Sequence, residues 1–196
     1  MKSLFIATGN AHKLVEIRAI FSLPGLKLLD MNDYDALPEV DEDQDSFEGN
    51  AIKKAVELAR FSGLWTLADD SGLEVDALNG APGVYSARYA GENVDYEANN
   101  RKLLRELDGV TNRTARFRCA IALSSPAGET RTVDGCCEGR IALSPKGDSG
   151  FGYDPLFIPA GEKRTFAEMS EDEKNSISHR AVALSNAYPV VKEVLA

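Results

Sequence analysis

No apolar run in this sequence approaches the roughly 18 residues that a membrane-spanning helix needs. The opening MKSLFIATGN lacks the longer apolar region and small-residue cleavage site of a signal peptide, and reads as a first strand. Only three cysteines occur, Cys119, Cys136 and Cys137, an odd number that makes neither a disulfide framework nor a CxxC metal pair. They are expected to be buried or free thiols of a cytoplasmic protein. There is no GxxxxGKS/T and no GxGxxG, so neither a P-loop nor a dinucleotide-binding turn is indicated. An aspartyl phosphatase of the haloacid dehalogenase type needs Asp-x-Asp at a strand end, so that both side chains project the same way. The adjacent Asp69 and Asp70 do not meet that spacing. Internal repeats, low-complexity segments and linkers are lacking too, and residues 1–196 are expected to form one domain.

What is present is ordinary in bulk and uneven in detail. The 196 residues are 43% apolar and 27% charged, enough for a sizeable core. The net charge of −9 is concentrated. Between Asp33 and Glu48 lie eight acids (Asp33, Asp35, Glu39, Asp41, Glu42, Asp43, Asp45, Glu48) and no Lys or Arg, while the remaining 22 cations and 23 acids nearly balance. A bare polyanion such as DNA would be repelled, which argues against nucleic-acid binding.

The chain alternates between strand and helix patterns. Residues 2–8 read as a strand, and Leu14, Ile17 and Phe21 then recur at helical spacing. A short strand at 26–29 leads into the acidic loop. Ser46 can cap a helix through Ala51, Ala55, Leu58 and Ala59, with Gly63 ending it. Trp65 to Ala68 is expected to be a buried strand stopping at the two aspartates, and Asp95 to Leu107 a helix stopped by Gly109. Residues 115–123 alternate, with Phe117, Cys119, Ile121 and Leu123 on one face, and 130–143 is expected to be the antiparallel neighbour. The expected fold is α/β with a mixed central sheet.

Three segments carry chemistry. TGNAHK, Thr8 to Lys13, joins the first strand to a helix, where free amides, the helix dipole and the Lys13 charge would favour an anion. Asp69 and Asp70 close a buried strand, where α/β folds place ligands. Two repelling carboxylates need a positive charge; beside a phosphate anion that charge is expected to be Mg²⁺, with one aspartate capping the turn that follows. FGYD, Phe151 to Asp154, sits on a glycine-rich turn whose aromatics can stack on a base. Further on, Ser170 and Glu173 have capping-box spacing, followed by Lys174, His179 and Arg180. Residues 174 and 179 point apart on one continuous helix, so a shared ligand requires a break between them, with Ser178 available there.

Together FIATGNAHK, SFEGNAIKKA, LADDSGLEVDALNGAPGVYSARYAG, FGYDPLF and EKNSISHRAVAL, spread from residue 5 to 184, closely resemble the XTP/dITP diphosphatase (inosine triphosphate pyrophosphatase) family. The resemblance implies an elongated α/β fold with two lobes flanking a nucleotide cleft, a homodimer, and Mg²⁺, one or more per subunit. It implies hydrolysis of ITP, dITP and XTP to monophosphate and pyrophosphate, clearing them from the nucleotide pool. The phosphate-binding turn falls on Thr8, Gly9, Asn10, Ala11, His12 and Lys13. The catalytic, metal-binding aspartate falls on Asp70, a second metal residue on Glu42, and Ser71 touches substrate. Phe151, Gly152, Tyr153, Asp154, Lys174, His179 and Arg180 match contacts to base and phosphates. A cationic donor such as Arg180 with an acceptor such as Asp154 would suit the O6 and N1–H of hypoxanthine. One departure is that Gly49, where the family commonly has Glu, precedes Asn50, which displaces Glu48 by one position.

Overall fold

In the computed structural model, residues 2–21 and 24–195 are described. Strand β1 (Lys2–Ile6) feeds helix α1 (Ala11–Ile20), which returns the chain to β2 (Leu26–Leu29) alongside β1. Helix α2 (Phe47–Ser62) then carries it to β3 (Trp65–Val75) on the other side of β1. Both pairings are parallel, with Leu4 opposite Leu28 and Trp65, and each uses a helix as the crossover that parallel strands require. After α3 (Tyr96–Glu106), β4 (Thr114–Ser124) and β5 (Thr130–Ile141) are sheet neighbours joined by five residues, a link only antiparallel strands can make. A short β6 (Phe157–Pro159) pairs antiparallel with β5. The sheet order is β2-β1-β3-β4-β5-β6, and the α/β class with a mixed sheet is as expected.

The chain divides into two compact units. One comprises Met1–Asp70, Cys119–Gly135 and Arg180–Ala196; the other comprises Ser71–Arg118 and Cys136–His179. In the first unit the two faces of the strands bury different sets, as the two-residue period dictates. Leu4, Ile6, Leu67 and Ile121 pack with Ile17 and Leu184 on one face. Phe5, Ala7, Ala68 and Ala122 meet Ala51, Ala55 and Leu58 of α2 on the other, small side chains that let the helix lie close. The second unit is aromatic: Phe117, Phe157 and Phe166 form a cluster, the first two 4.7 Å apart and tilted by 60°.

The helix ends follow the sequence signals. Ser46 Oγ accepts from Gly49 N–H at 3.0 Å to start α2, and Gly63 ends it in the left-handed conformation (φ 69°) that favours glycine. Helix α4 (Glu171–Ile177) opens on the Ser170–Glu173 capping box and stops at Ser178, which is extended; α5 (His179–Val194) starts afresh. The break expected between Lys174 and His179 is there. One expectation fails. Strand β3 does not stop at the aspartates but runs on to Val75, because Leu73 and Val75 bury into the second unit's core. Among the described residues no helix is long and apolar enough to cross a membrane.

Candidate active site

Because β3 continues, Asp69 and Asp70 are neighbours in mid-strand and project to opposite faces. Their surroundings differ accordingly. Asp69 is 1% exposed, and its Oδ2 accepts from Lys13 Nζ at 2.9 Å and Arg180 Nε at 3.2 Å. Lys54 Nζ donates to its carbonyl at 3.1 Å. Burial alone would push this carboxyl up, but Lys13, Arg180 and Lys54 outweigh it and hold it well below the usual carboxylate range. The positive charge is thus the protein's own. This corrects one expectation, that one of the two caps a turn just after the pair. Asp69 Oδ2 is taken by the two cations, Oδ1 is buried without a hydrogen-bond partner among the described residues, and no turn begins at residues 71–72.

Asp70 accepts from Asn50 Nδ2 at 2.9 Å. Burial pushes its carboxyl up, and the charge of Glu42 adds to that. Lys13, Asn50 and Lys54 pull it down, but the net shift is upward. Glu42 forms an ion pair with Lys54. Burial would lower the Lys54 ammonium, but Glu42 and Asp69 more than compensate, so it stays charged. Asp70, held by Asn50, and Glu42, paired with Lys54 four residues further along α2, are two hard carboxylates that suit Mg²⁺, which takes one or two protein carboxylates and fills the rest of its shell with water and phosphate oxygens.

The Thr8–Lys13 turn lies in the same unit. Thr8 Oγ1 accepts from Asn10 N–H at 3.2 Å, and Asn10 Oδ1 accepts from His12 N–H at 3.0 Å and Lys13 N–H at 3.3 Å. Two first-turn amides are therefore taken by the Asn10 cap rather than left open for an anion. Gly9 is not demanded by its neighbours, since a Cβ there would meet Met31 Sδ at an ordinary 3.7 Å. The bare backbone suits close approach by a ligand instead. Arg180, 2% exposed, gives Nη1 to Glu16 besides Nε to Asp69, so its guanidinium is held from two sides.

The second unit holds the other predicted residues. Ser71 follows Asp70 on β3. Asp154 is buried and accepts from Phe151 N–H at 2.9 Å and Lys174 Nζ at 2.7 Å. Lys174 Nζ also lies 4.9 Å from the centre of the Phe151 ring. Gly150 (φ 76°) must be glycine, since a Cβ there would overlap the Asp154 carboxylate. The Gly152 carbonyl accepts from Asn100 Nδ2 at 2.9 Å, and the buried Tyr153 hydroxyl donates to Ser86 O at 2.9 Å. His179 stacks on Phe117, 4.6 Å between centroids and 12° between planes. So Thr8–Lys13, Glu42, Asp70 and Arg180 belong to the first unit, and Ser71, Phe151–Asp154, Lys174 and His179 to the second.

Three residues, Glu16, Asn50 and Lys54, escaped the sequence reading, as did the cation-holding role of Asp69. A signal for two of them existed. Asn50, Ala51, Lys54, Ala55 and Leu58 lie on one helical stripe, so Lys54 turns inward while Lys53 faces Asp43 at 2.9 Å. Glu48 is engaged by Thr132, whose hydroxyl donates to it at 2.8 Å.

The Ham1 family model matches residues 4–190. The chain belongs to the Ham1 family. Among its Ham1 relatives, proteins named dITP/XTP pyrophosphatase from Desulforamulus reducens and from an Exiguobacterium species are 50% and 54% identical to it. The first is aligned over 97% of this chain and 96% of its own length, the second over 92% of each. A HAM1 protein from Coxiella burnetii superposes with a TM-score of 0.91 at 39% identity, covering 98% of this chain and all of that one. These Ham1 likenesses agree with the resemblance read from the motifs.

Proposed function

We infer that this chain is a nucleoside-triphosphate pyrophosphatase that cleaves dITP, XTP and ITP to the monophosphate and pyrophosphate. The observation that carries this reading is the division of labour between adjacent aspartates: Asp69 bound to Lys13 and Arg180, Asp70 hydrogen-bonded to Asn50 with its carboxyl shifted upward. An upward shift makes a better proton acceptor at neutral pH. Asp70 orients the water that attacks the α-phosphorus, or takes its proton. Lys13 holds the phosphates, with the bare backbone at Gly9 letting them approach closely. Phe151, Asp154 and Lys174, grouped within the second unit, offer an aromatic face with an acceptor and a donor of the kind that pairs with a purine base. Arg180, with Nε on Asp69 and Nη1 on Glu16, supports Lys13 at the phosphate end; this replaces its expected pairing with Asp154. Asp70 and Glu42 would hold Mg²⁺, which when bound neutralises charge on the triphosphate and the leaving pyrophosphate. Acting as a cytoplasmic homodimer, the enzyme would remove deaminated purines before they enter DNA or RNA.

A panel of nucleoside triphosphates with Mg²⁺ at mildly alkaline pH tests this. dITP, XTP and ITP are expected to give monophosphate and pyrophosphate, with ATP turned over at least about 10²-fold less efficiently, because the N6 amino donor and N1 acceptor of adenine leave polar groups of the site unpaired. Orthophosphate as the first product would point to a phosphatase. Tight binding without turnover would make the chain a nucleotide-binding module.

A further inference from the structure

Asn50 occupies an unusual position for a side chain absent from the phosphate turn and from the paired aspartates. It is 1% exposed in the first turn of α2, and both ends of its amide are used. Nδ2 donates to Asp70 Oδ2 at 2.9 Å, and Oδ1 accepts from the backbone N–H of Gln44 at 2.9 Å. One end thus holds the proposed catalytic carboxylate on β3. The other holds the acidic loop two residues beyond Glu42. One turn along the same face, Lys54 pairs with Glu42 and donates to the Asp69 carbonyl. Asn50 and Lys54 together clamp the loop and the strand to one helix.

Gly49 makes this clamp possible. A Cβ at position 49 would come within 2.9 Å of Gln44 Cβ and 3.1 Å of Ser46 Oγ. With glycine there, Gln44 can lie against the start of α2 and bring its N–H to Asn50.

We propose that Asn50 is a positioning residue that sets the spacing of Asp70 and Glu42, and so the affinity of the site for its divalent cation, with Gly49 as the close-contact residue that permits it. The proposal rests on the metal role given above to Asp70 and Glu42. Side chains that orient metal-binding carboxylates typically change metal affinity 10- to 100-fold when removed. Asn50→Ala removes both hydrogen bonds. Gly49→Ala leaves Asn50 intact, favours the helix over glycine, and crowds Gln44 most closely, with the Ser46 hydroxyl next. Both are expected to raise the Mg²⁺ concentration for half-maximal pyrophosphate release from dITP by about 10-fold or more.

A second readout needs no turnover. Calorimetry with an α,β-imido analogue of dITP, in Mg²⁺ and then in EDTA, gives the affinity gained from the metal. The wild type is expected to show a gain that both variants largely lose, while their affinity in EDTA stays within about threefold of wild type. Variants that keep the wild-type gain overturn the proposal. If Asn50→Ala does not fold, Gly49→Ala decides alone, and its melting temperature, expected at or above wild type, separates a displaced loop from a weakened fold. A wild type with equal affinity in Mg²⁺ and EDTA overturns the metal reading and this proposal with it. A wild type that gains affinity but releases no pyrophosphate overturns only the assigned reaction.

Discussion

Asp70→Asn is expected to lose about 10²–10⁴-fold in kcat for dITP while melting at or above the wild-type temperature. The two halves of this result have one cause. Burial and the nearby Glu42 charge oppose ionisation of Asp70, so its folded carboxyl titrates above its unfolded value. For such a group the folded state binds the proton more tightly, and stability falls as pH rises from the unfolded pKa through the folded one. At neutral pH the ionised side chain is therefore a cost to the fold, which an amide of the same shape removes. The Asn50 hydrogen bond need not be lost, because the new amide oxygen can accept from Asn50 Nδ2 as Oδ2 does now. What disappears is a group able to accept a proton from water. Steady-state kinetics and a thermal melt on the same preparation check both halves. Near-normal kcat would move the catalytic role to another carboxylate, with Glu42 the first to examine.

Much of the architecture was legible because local signals and tertiary packing agree. The Ser46 cap, the Gly63 stop, the Ser170–Glu173 box and the alternation through Phe117, Cys119 and Ile121 all specify what the chain adopts. The break before His179 was legible for a different reason, since Lys174 and His179 point apart on one continuous helix and a shared ligand requires the helix to break between them. Strand β3 was misread where local polarity and tertiary electrostatics disagree. Asp-Asp-Ser-Gly has the composition of a turn, and strand propensity yields to context. The context lies far away in sequence: Lys13 from the start of α1 and Arg180 from the start of α5 supply the charge that keeps Asp69 within the sheet. No window around residue 69 contains them. The double use of Asn50 was hidden likewise, since one of its partners lies 20 residues away and the other is a backbone amide.

Asp69→Asn is expected to do the reverse of its neighbour and lower stability by about 3–5 kcal/mol, the usual cost of removing one partner from a buried ion pair. For a chain of this size that is a fall in melting temperature of roughly 10 °C. Lys13 Nζ and the Arg180 guanidinium both rest on Asp69 Oδ2, and an amide leaves Lys13 facing no full charge there. Arg180 keeps Glu16, which tempers the loss without removing it. The pH dependence distinguishes this account from simple misfit of an amide. Asp69 is held well below the usual carboxylate range, so its folded pKa lies beneath its unfolded one. Such a group contributes stability that is fully present above the unfolded pKa of about 3.9 and is lost as pH falls through the folded value. The gap between wild type and Asp69→Asn should therefore be constant from pH 8 to about 5 and shrink below about 4. Urea melts at pH 7, 5 and 3 measure it. A gap that ignores pH would make the loss one of packing, and a variant as stable as wild type would mean that Lys13 and Arg180 do not depend on Asp69. With Asp70→Asn measured alongside, opposite signs at adjacent positions of one strand are the signature that the first carboxylate serves the fold and the second the reaction.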